Sequence, residues 1–276
     1  MESITLPAAA WNRLSFFMRA ATLAFIAVLL AVTMIGCSSG TAPHDLAEAK
    51  QIVASCPEGR QIAGRAAIDV SGSRRTVAAD DGRLDPVREL VRRAAVCGGH
   101  LRVDAFSGSS AATAAVYDGD LHLPGATENA RLRREPAVTD SVMAEVSKNL
   151  PAASAKLPAG GTDVIAQLGL SAEYVRQLDP DGSRYVLHTV ITTDGAQTER
   201  VVLADPALMP ERAVQLADRL PAPDLSGADV RLTDIGKVAG PPPSTSYVDA
   251  LKAFYAAFCA KTHAARCVVV TDGAGR

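Results

Sequence analysis

Oxygen-bearing side chains arrive in three short stretches of this 276-residue chain. The first is Asp69-Val70-Ser71-Gly72-Ser73, where a carboxylate and two hydroxyls fall at alternate positions as a short apolar run ends. The second is Gly160-Gly161-Thr162-Asp163. The third is Thr192-Thr193-Asp194-Gly195, which closes the strongest strand pattern in the chain. Such residues also make ordinary turns, and Thr162 or Asp163 also suits a helix cap. Taken together, carboxylates and hydroxyls without thiolate or imidazole are the donors of a hard cation, Mg2+ more readily than Zn2+. Asp69, Ser71, Ser73, Thr162 and Asp194 offer two carboxylates and three neutral hydroxyls. That set leaves a divalent ion under-neutralised, and an open coordination position would attract an acidic group from a partner.

These stretches act together only if the fold brings them together. From about residue 61, strand and helix patterns alternate. This predicts an α/β fold: a Rossmann-like three-layer sandwich with a mostly parallel central sheet, one antiparallel hairpin strand and helices on both faces. "RAAIDV" is the first strand. "DPVRELVRRAAVC" has apolar residues at helical spacing, with Asp85 expected as its N-cap and Pro86 in the first turn. "HLRVDAF" and "ATAAVYDG" read as the hairpin, and "TDSVMAEVSKNL" as a helix capped by Thr139 or Asp140. A helix follows the Gly-Gly-Thr turn, and "SRYVLHTVITTDG" is a strand. Two further helix–strand alternations end at "RCVVVTDG". In sheets of this kind, ligands bind beyond the carboxyl ends of the parallel strands. All three oxygen-rich stretches are expected there.

The set resembles the von Willebrand factor type A domain and its metal-ion-dependent adhesion site. That family carries D-x-S-x-S, then a loop Thr in a G-G-T context, then an Asp in a T-D-G context after a hydrophobic strand. The matching positions here are Asp69, Ser71 and Ser73, then Thr162, then Asp194, and the strand–helix order agrees over roughly residues 61–271. The resemblance implies a non-enzymatic binding or adhesion module. Its Mg2+, with Mn2+ or Ca2+ as substitutes, would engage an Asp or Glu on an envelope or extracellular protein. Two other readings stay open. One is a Mg2+-dependent, phosphatase-like hydrolase, which also places an Asp after the first strand but needs a second where Ser71 stands, leaving it without its acid/base catalyst. The other is an envelope scaffold with weak metal binding.

The N-terminus bears on location. Arg13 and Arg19 precede an apolar run of about 16 residues, shorter than the ~20 that span a bilayer, and "MIGCSSG" follows. This resembles a bacterial lipobox, with Cys37 the lipidated first residue of the mature protein; an uncleaved single span is the alternative. Both put the domain on the extracytoplasmic face of the cell membrane. The expected organisation is a signal peptide over 1–37, a tether and short helix over 38–60, and the domain over 61–276. Removing Cys37 leaves four cysteines in an oxidising compartment, with no C-x-x-C. Cys259, near a helix end, and Cys267, at the next strand, are close enough to pair, which leaves Cys56 with Cys97. The formal charge of −2 gives no footprint for nucleic acid, and aromatics at 4% leave little for base or sugar stacking. The five histidines show no metalloprotease spacing, and His188, within a strand, reads as a core residue. "RLRRE" at 131–135 reads as solvated surface.

Overall fold

The computed structural model describes residues 46–75, 82–109 and 112–272, with only the backbone at Ser73 and Arg75. The expected export signal, Cys37 and the tether as far as residue 45 lie outside the described residues. Among the described residues, no helix is long and apolar enough to cross a membrane.

Among the described residues, six strands form one mixed sheet in the order β3-β2-β1-β4-β5-β6. They are β1 (Gln61–Asp69), β2 (Gly99–Phe106), β3 (Thr113–Leu121), β4 (Tyr185–Thr192), β5 (Asp229–Thr233) and β6 (Arg266–Val269). Every neighbouring pair is parallel except β2–β3, the expected hairpin. Central position explains the composition of β1: after Gln61 every residue is buried, as a parallel strand covered on both faces requires. β3, at the edge, buries only Val116 and Leu121 and leaves its other residues partly or fully open. At the start of β2 the backbones approach so closely that a Cβ on Gly99 would lie 2.0 Å from the Ile62 carbonyl oxygen. Only glycine fits there.

Two apolar cores sandwich the sheet, as the three-layer expectation required. Helices α1 (Leu46–Ala54), α3 (Asp85–Cys97) and α5 (Glu135–Ala155) bury Ala49, Val87, Leu90, Val91, Val142 and Val146 in one core. Helices α6 (Val164–Leu178), α7 (Pro210–Asp218) and α8 (Thr245–Ala260) bury Leu168, Ala213, Leu251 and Phe254 in the other. The short α2 (Gly72–Arg75) and α4 (Glu128–Leu132) are the other helices among the described residues. α4, whose last two residues open the 131–135 stretch that sequence reads as solvated surface, begins where Thr127 Oγ1 accepts from the Ala130 amide.

Helix starts differ from expectation in two places. In α3 the N-cap is Leu84, and Asp85 stands one position later, in the first turn, where its charge still favours the helix dipole. α5 begins at Glu135, a full turn before Thr139, because Pro136 occupies its first turn. Thr139 is therefore no cap. Its buried hydroxyl donates to Glu135 Oε1 at 2.8 Å, and that carboxylate also accepts from Arg92 Nε at 3.0 Å.

A charged network crosses the second core. Arg65 of β1, only 2% exposed, pairs with Asp104 of β2 at 3.0 Å. It also donates to the Gln167 carbonyl, to Gln167 Oε1 and to Ser171 Oγ on α6. These bonds fix how α6 sits on the sheet. Both expected disulfides are present, Cys56–Cys97 and Cys259–Cys267.

Candidate functional site

The strand order creates the site. β1 and β4 are neighbours, yet the chain leaves β1 for β2 on one side and leaves β4 for β5 on the other. The loops at their carboxyl ends diverge, which opens a crevice at this switch point. Asp69 ends β1, and Thr193 and Asp194 follow the last residue of β4, whose register partner is Ile68.

Asp69 is fully buried. Its Oδ1 accepts from the Ser71 amide at 2.9 Å, and its Oδ2 accepts from Thr193 Oγ1 at 2.7 Å. Burial, and then the neighbouring Asp194 carboxylate, push its pKa up to about 6, although the bonds from Ser71 and Thr193 pull the other way. Two carboxylates thus share one buried corner. Asp194, 1% exposed, accepts from the Ala196 amide at 2.9 Å. Its turn needs Gly195, at φ +81°, because a Cβ there would lie 3.1 Å from both Ile235 and Tyr255. Tyr255 backs the corner and donates to the Gly195 carbonyl at 2.9 Å. Its phenol is held well above the ordinary value by burial first and then by Asp194 and Asp69.

Ser71 is 2% exposed. Its hydroxyl lies near enough to Asp69 to favour the ionised form, but completes no hydrogen bond of proper geometry. After Val70 the chain turns into α2 rather than continuing extended, and Ser73 takes helical backbone. Its side chain lies outside the described residues.

Thr162, buried, reaches the same edge by its backbone. The Gly161 carbonyl accepts from the Gly108 amide beyond β2, and the Thr162 carbonyl accepts from the Thr198 and Glu199 amides beyond β4. The loop before Thr162 also meets α2, since a Cβ on Gly72 would lie 3.0 Å from the Ala159 carbonyl oxygen. Asp163 is the N-cap of α6, accepting from the Ala166 amide at 3.2 Å, and its second oxygen pairs with Arg200 at 3.3 Å. The three oxygen-rich stretches therefore meet at one edge of the sheet.

Sequence reasoning passed over several side chains here. Arg74, fully buried, donates to Asp234 at 2.7 Å and to the Lys237 carbonyl, tying α2 to the end of β5. Arg83 donates to the Asp69 carbonyl at 2.6 Å, and burial followed by repulsion from Arg74 lowers its pKa to about 10. Buried Gln197 caps α6 through the Ile165 amide. Thr193 had a signal, its place in T-T-D-G; two arginines in a polar loop had none.

Among the described residues, no group of three or more His, Cys, Asp or Glu side chains is placed to hold a metal ion. Any cation here would need the hydroxyls as well as the two carboxylates. The donor set fits one: a hard cation would relieve the Asp69–Asp194 repulsion and give Ser71 Oγ a partner.

No family model matches the chain, and no curated protein matches it. Among solved structures it is similar to the pilus adhesin SpaC from Lactobacillus rhamnosus GG. The identity is 18%, over 52% of this chain and 16% of the adhesin, with a TM-score of 0.29. The open conformation of that adhesin gives the same identity and coverage with a TM-score of 0.28. At such scores the likeness carries no argument about function.

Proposed function

We propose that this protein is a membrane-tethered, extracytoplasmic binding module of the von Willebrand factor type A kind, in which a Mg2+-type cation engages an acidic group on a partner protein. The observation that carries the reading is the buried carboxylate pair, Asp69 beside Asp194, at the β1–β4 switch point. Ser71, Ser73 and Thr162 would supply neutral oxygens. A bound cation would act as a Lewis acid toward an incoming carboxylate. The protein's part is to hold Asp69 in place through the Ser71 amide and Thr193, and to present the ion in the crevice where the loops after β1 and β4 diverge. Cys37 would hold the domain to the membrane by its lipid, with 38–60 as tether and short helix.

Calorimetric titration of Mg2+ tests the site. Wild type should bind, while Asp69→Asn and Asp194→Asn should not, with circular dichroism unchanged. Failure of wild type to bind Mg2+ or Mn2+ would sink the reading. Capture of envelope proteins in Mg2+ but not in chelator extends the test to partners. Detergent partitioning that is lost in Cys37→Ser tests the anchor.

A further inference from the structure

From the rim beside this site, we infer that the partner's acidic residue is read twice: by the cation and by Arg200, with aliphatic neighbours of that residue resting on Val202 and Met209. The inference rests on the Mg2+ reading above and adds to it the local chemistry of the ligand.

Four observations carry it. First, Arg200 is held at φ +62°, the left-handed region that a non-glycine residue adopts at a cost of about 1 kcal/mol or more. Second, its position is fixed relative to the site. The Thr198 and Glu199 amides clip onto the Thr162 carbonyl, the Leu203 amide closes on the Gln197 carbonyl, and Gln197 Nε2 donates to the Glu199 carbonyl. Third, its side chain is 55% exposed and spends only Nε on Asp163, at 3.3 Å. The two Nη nitrogens make no hydrogen bond or ion pair among the described residues, and together they form the fork that takes a carboxylate in parallel bonds. Fourth, all the large apolar side chains exposed among the described residues lie in one segment next to Arg200: Val202 at 63%, Met209 at 54% and Val214 at 36%. Single exposed apolar residues need no explanation; these three share one loop and the first turns of the helix after it, and the inference takes that segment as the resting place of the ligand's aliphatic groups.

Charge favours an anionic ligand over a neutral one. A bound cation under-neutralised by two carboxylates and the Arg200 fork both attract a carboxylate. Glu199, whose carboxylate lies against Gly161, opposes them and limits the affinity. A carboxylate on an extended aliphatic segment meets all of these groups; a lone small anion meets only the charges.

The probe is a blocked Leu-Asp-Leu tripeptide, with Leu-Asn-Leu as control, titrated into the full chain in saturating Mg2+ and followed by NMR shifts of the protein amides. Mg2+ binding itself is measured separately by calorimetry. Wild type should bind the Asp peptide and prefer it to the Asn peptide by at least tenfold. Arg200→Ala should weaken the Asp peptide about tenfold while taking up Mg2+ at least as tightly as wild type. Val202→Ser, which leaves the Arg200–Asp163 pair intact, should weaken it about threefold. Equal affinity of Arg200→Ala and wild type overturns the inference and leaves the Mg2+ reading standing, as does a wild type that binds Mg2+ but neither peptide. Absence of Mg2+ uptake by wild type overturns both.

Discussion

Without a bound cation, Asp69 should make the protein more stable as the pH falls. Its carboxyl is raised from 3.8 to about 6 by burial and by Asp194, so the folded state holds this proton more tightly than the unfolded chain does. The sign follows. The stabilising contribution is fully present below about pH 3.8 and is lost as the pH rises through about 6. At 1.36 kcal/mol per pH unit, the penalty near pH 7.5 is about 3 kcal/mol. For a domain of this size, that is worth about 6 to 12 °C in melting temperature. Asp69→Asn removes the charge, and Thr193 Oγ1 can turn to accept from the new amide. The assay is thermal unfolding of wild type and Asp69→Asn in chelator from pH 4 to 7.5, read as the difference between the two so that carboxylates remote from this corner cancel. At pH 7.5 the variant should melt higher, and the gap should close toward pH 4. Saturating Mg2+ should reverse the order, because the ion stabilises only the protein that binds it. A variant less stable than wild type in chelator at pH 7.5, or a gap independent of pH, would refute the reasoning.

Asp104→Asn should cost about 3 to 5 kcal/mol in urea denaturation, because it strips the carboxylate from buried Arg65, whereas Arg65→Met with Asp104→Leu should recover much of that loss. Arg200→Gly should be more stable than Arg200→Ala by about 1 kcal/mol, since glycine alone accepts φ +62° freely; equal melting temperatures would remove the strain argument. The bridges span 41 and 8 residues, so replacing Cys56 and Cys97 by Ser should cost about 4 kcal/mol, against about 2.5 for Cys259 and Cys267. The reverse ranking would show that unfolded-chain entropy is not what the longer bridge limits.

What sequence revealed and what it hid divide along physical lines. Periodicity and turn residues are local, so the alternation of strands and helices, the β2–β3 hairpin and the cysteine pairs were legible. Helix starts were less so: a Pro in the first turn overrode Thr139 as the beginning of α5. The meeting of Asp69 with Asp194 depends on β4 pairing beside β1, a non-local event that motif order suggested and periodicity could not. Counting alternate positions assumes an extended chain, and the turn into α2 at Gly72, where the Ala159 carbonyl oxygen would lie 3.0 Å from a Cβ, depends on a loop about 90 residues away. Arg74, Arg83 and Gln197 were invisible because each works through burial against distant backbone. Thr193 carries a legible signal, as it directly precedes Asp194 in T-T-D-G.

The Cys56–Cys97 bond has a mechanical consequence. Cys56 lies just before β1 and Cys97 just before β2, so a pull arriving from the amino-terminal side can strip α1 without reaching the sheet. Beyond Cys56 the pull divides between two adjacent strands that lie parallel in register, with β1 also paired to β4. Tension along parallel strands loads their ladder in shear, with many hydrogen bonds resisting at once, whereas peeling would break them in turn. The corner that holds Asp69 lies at the far end of β1, behind that ladder. A domain hung from its amino terminus would keep the corner around Asp69 intact under drag until the sheet itself gave way.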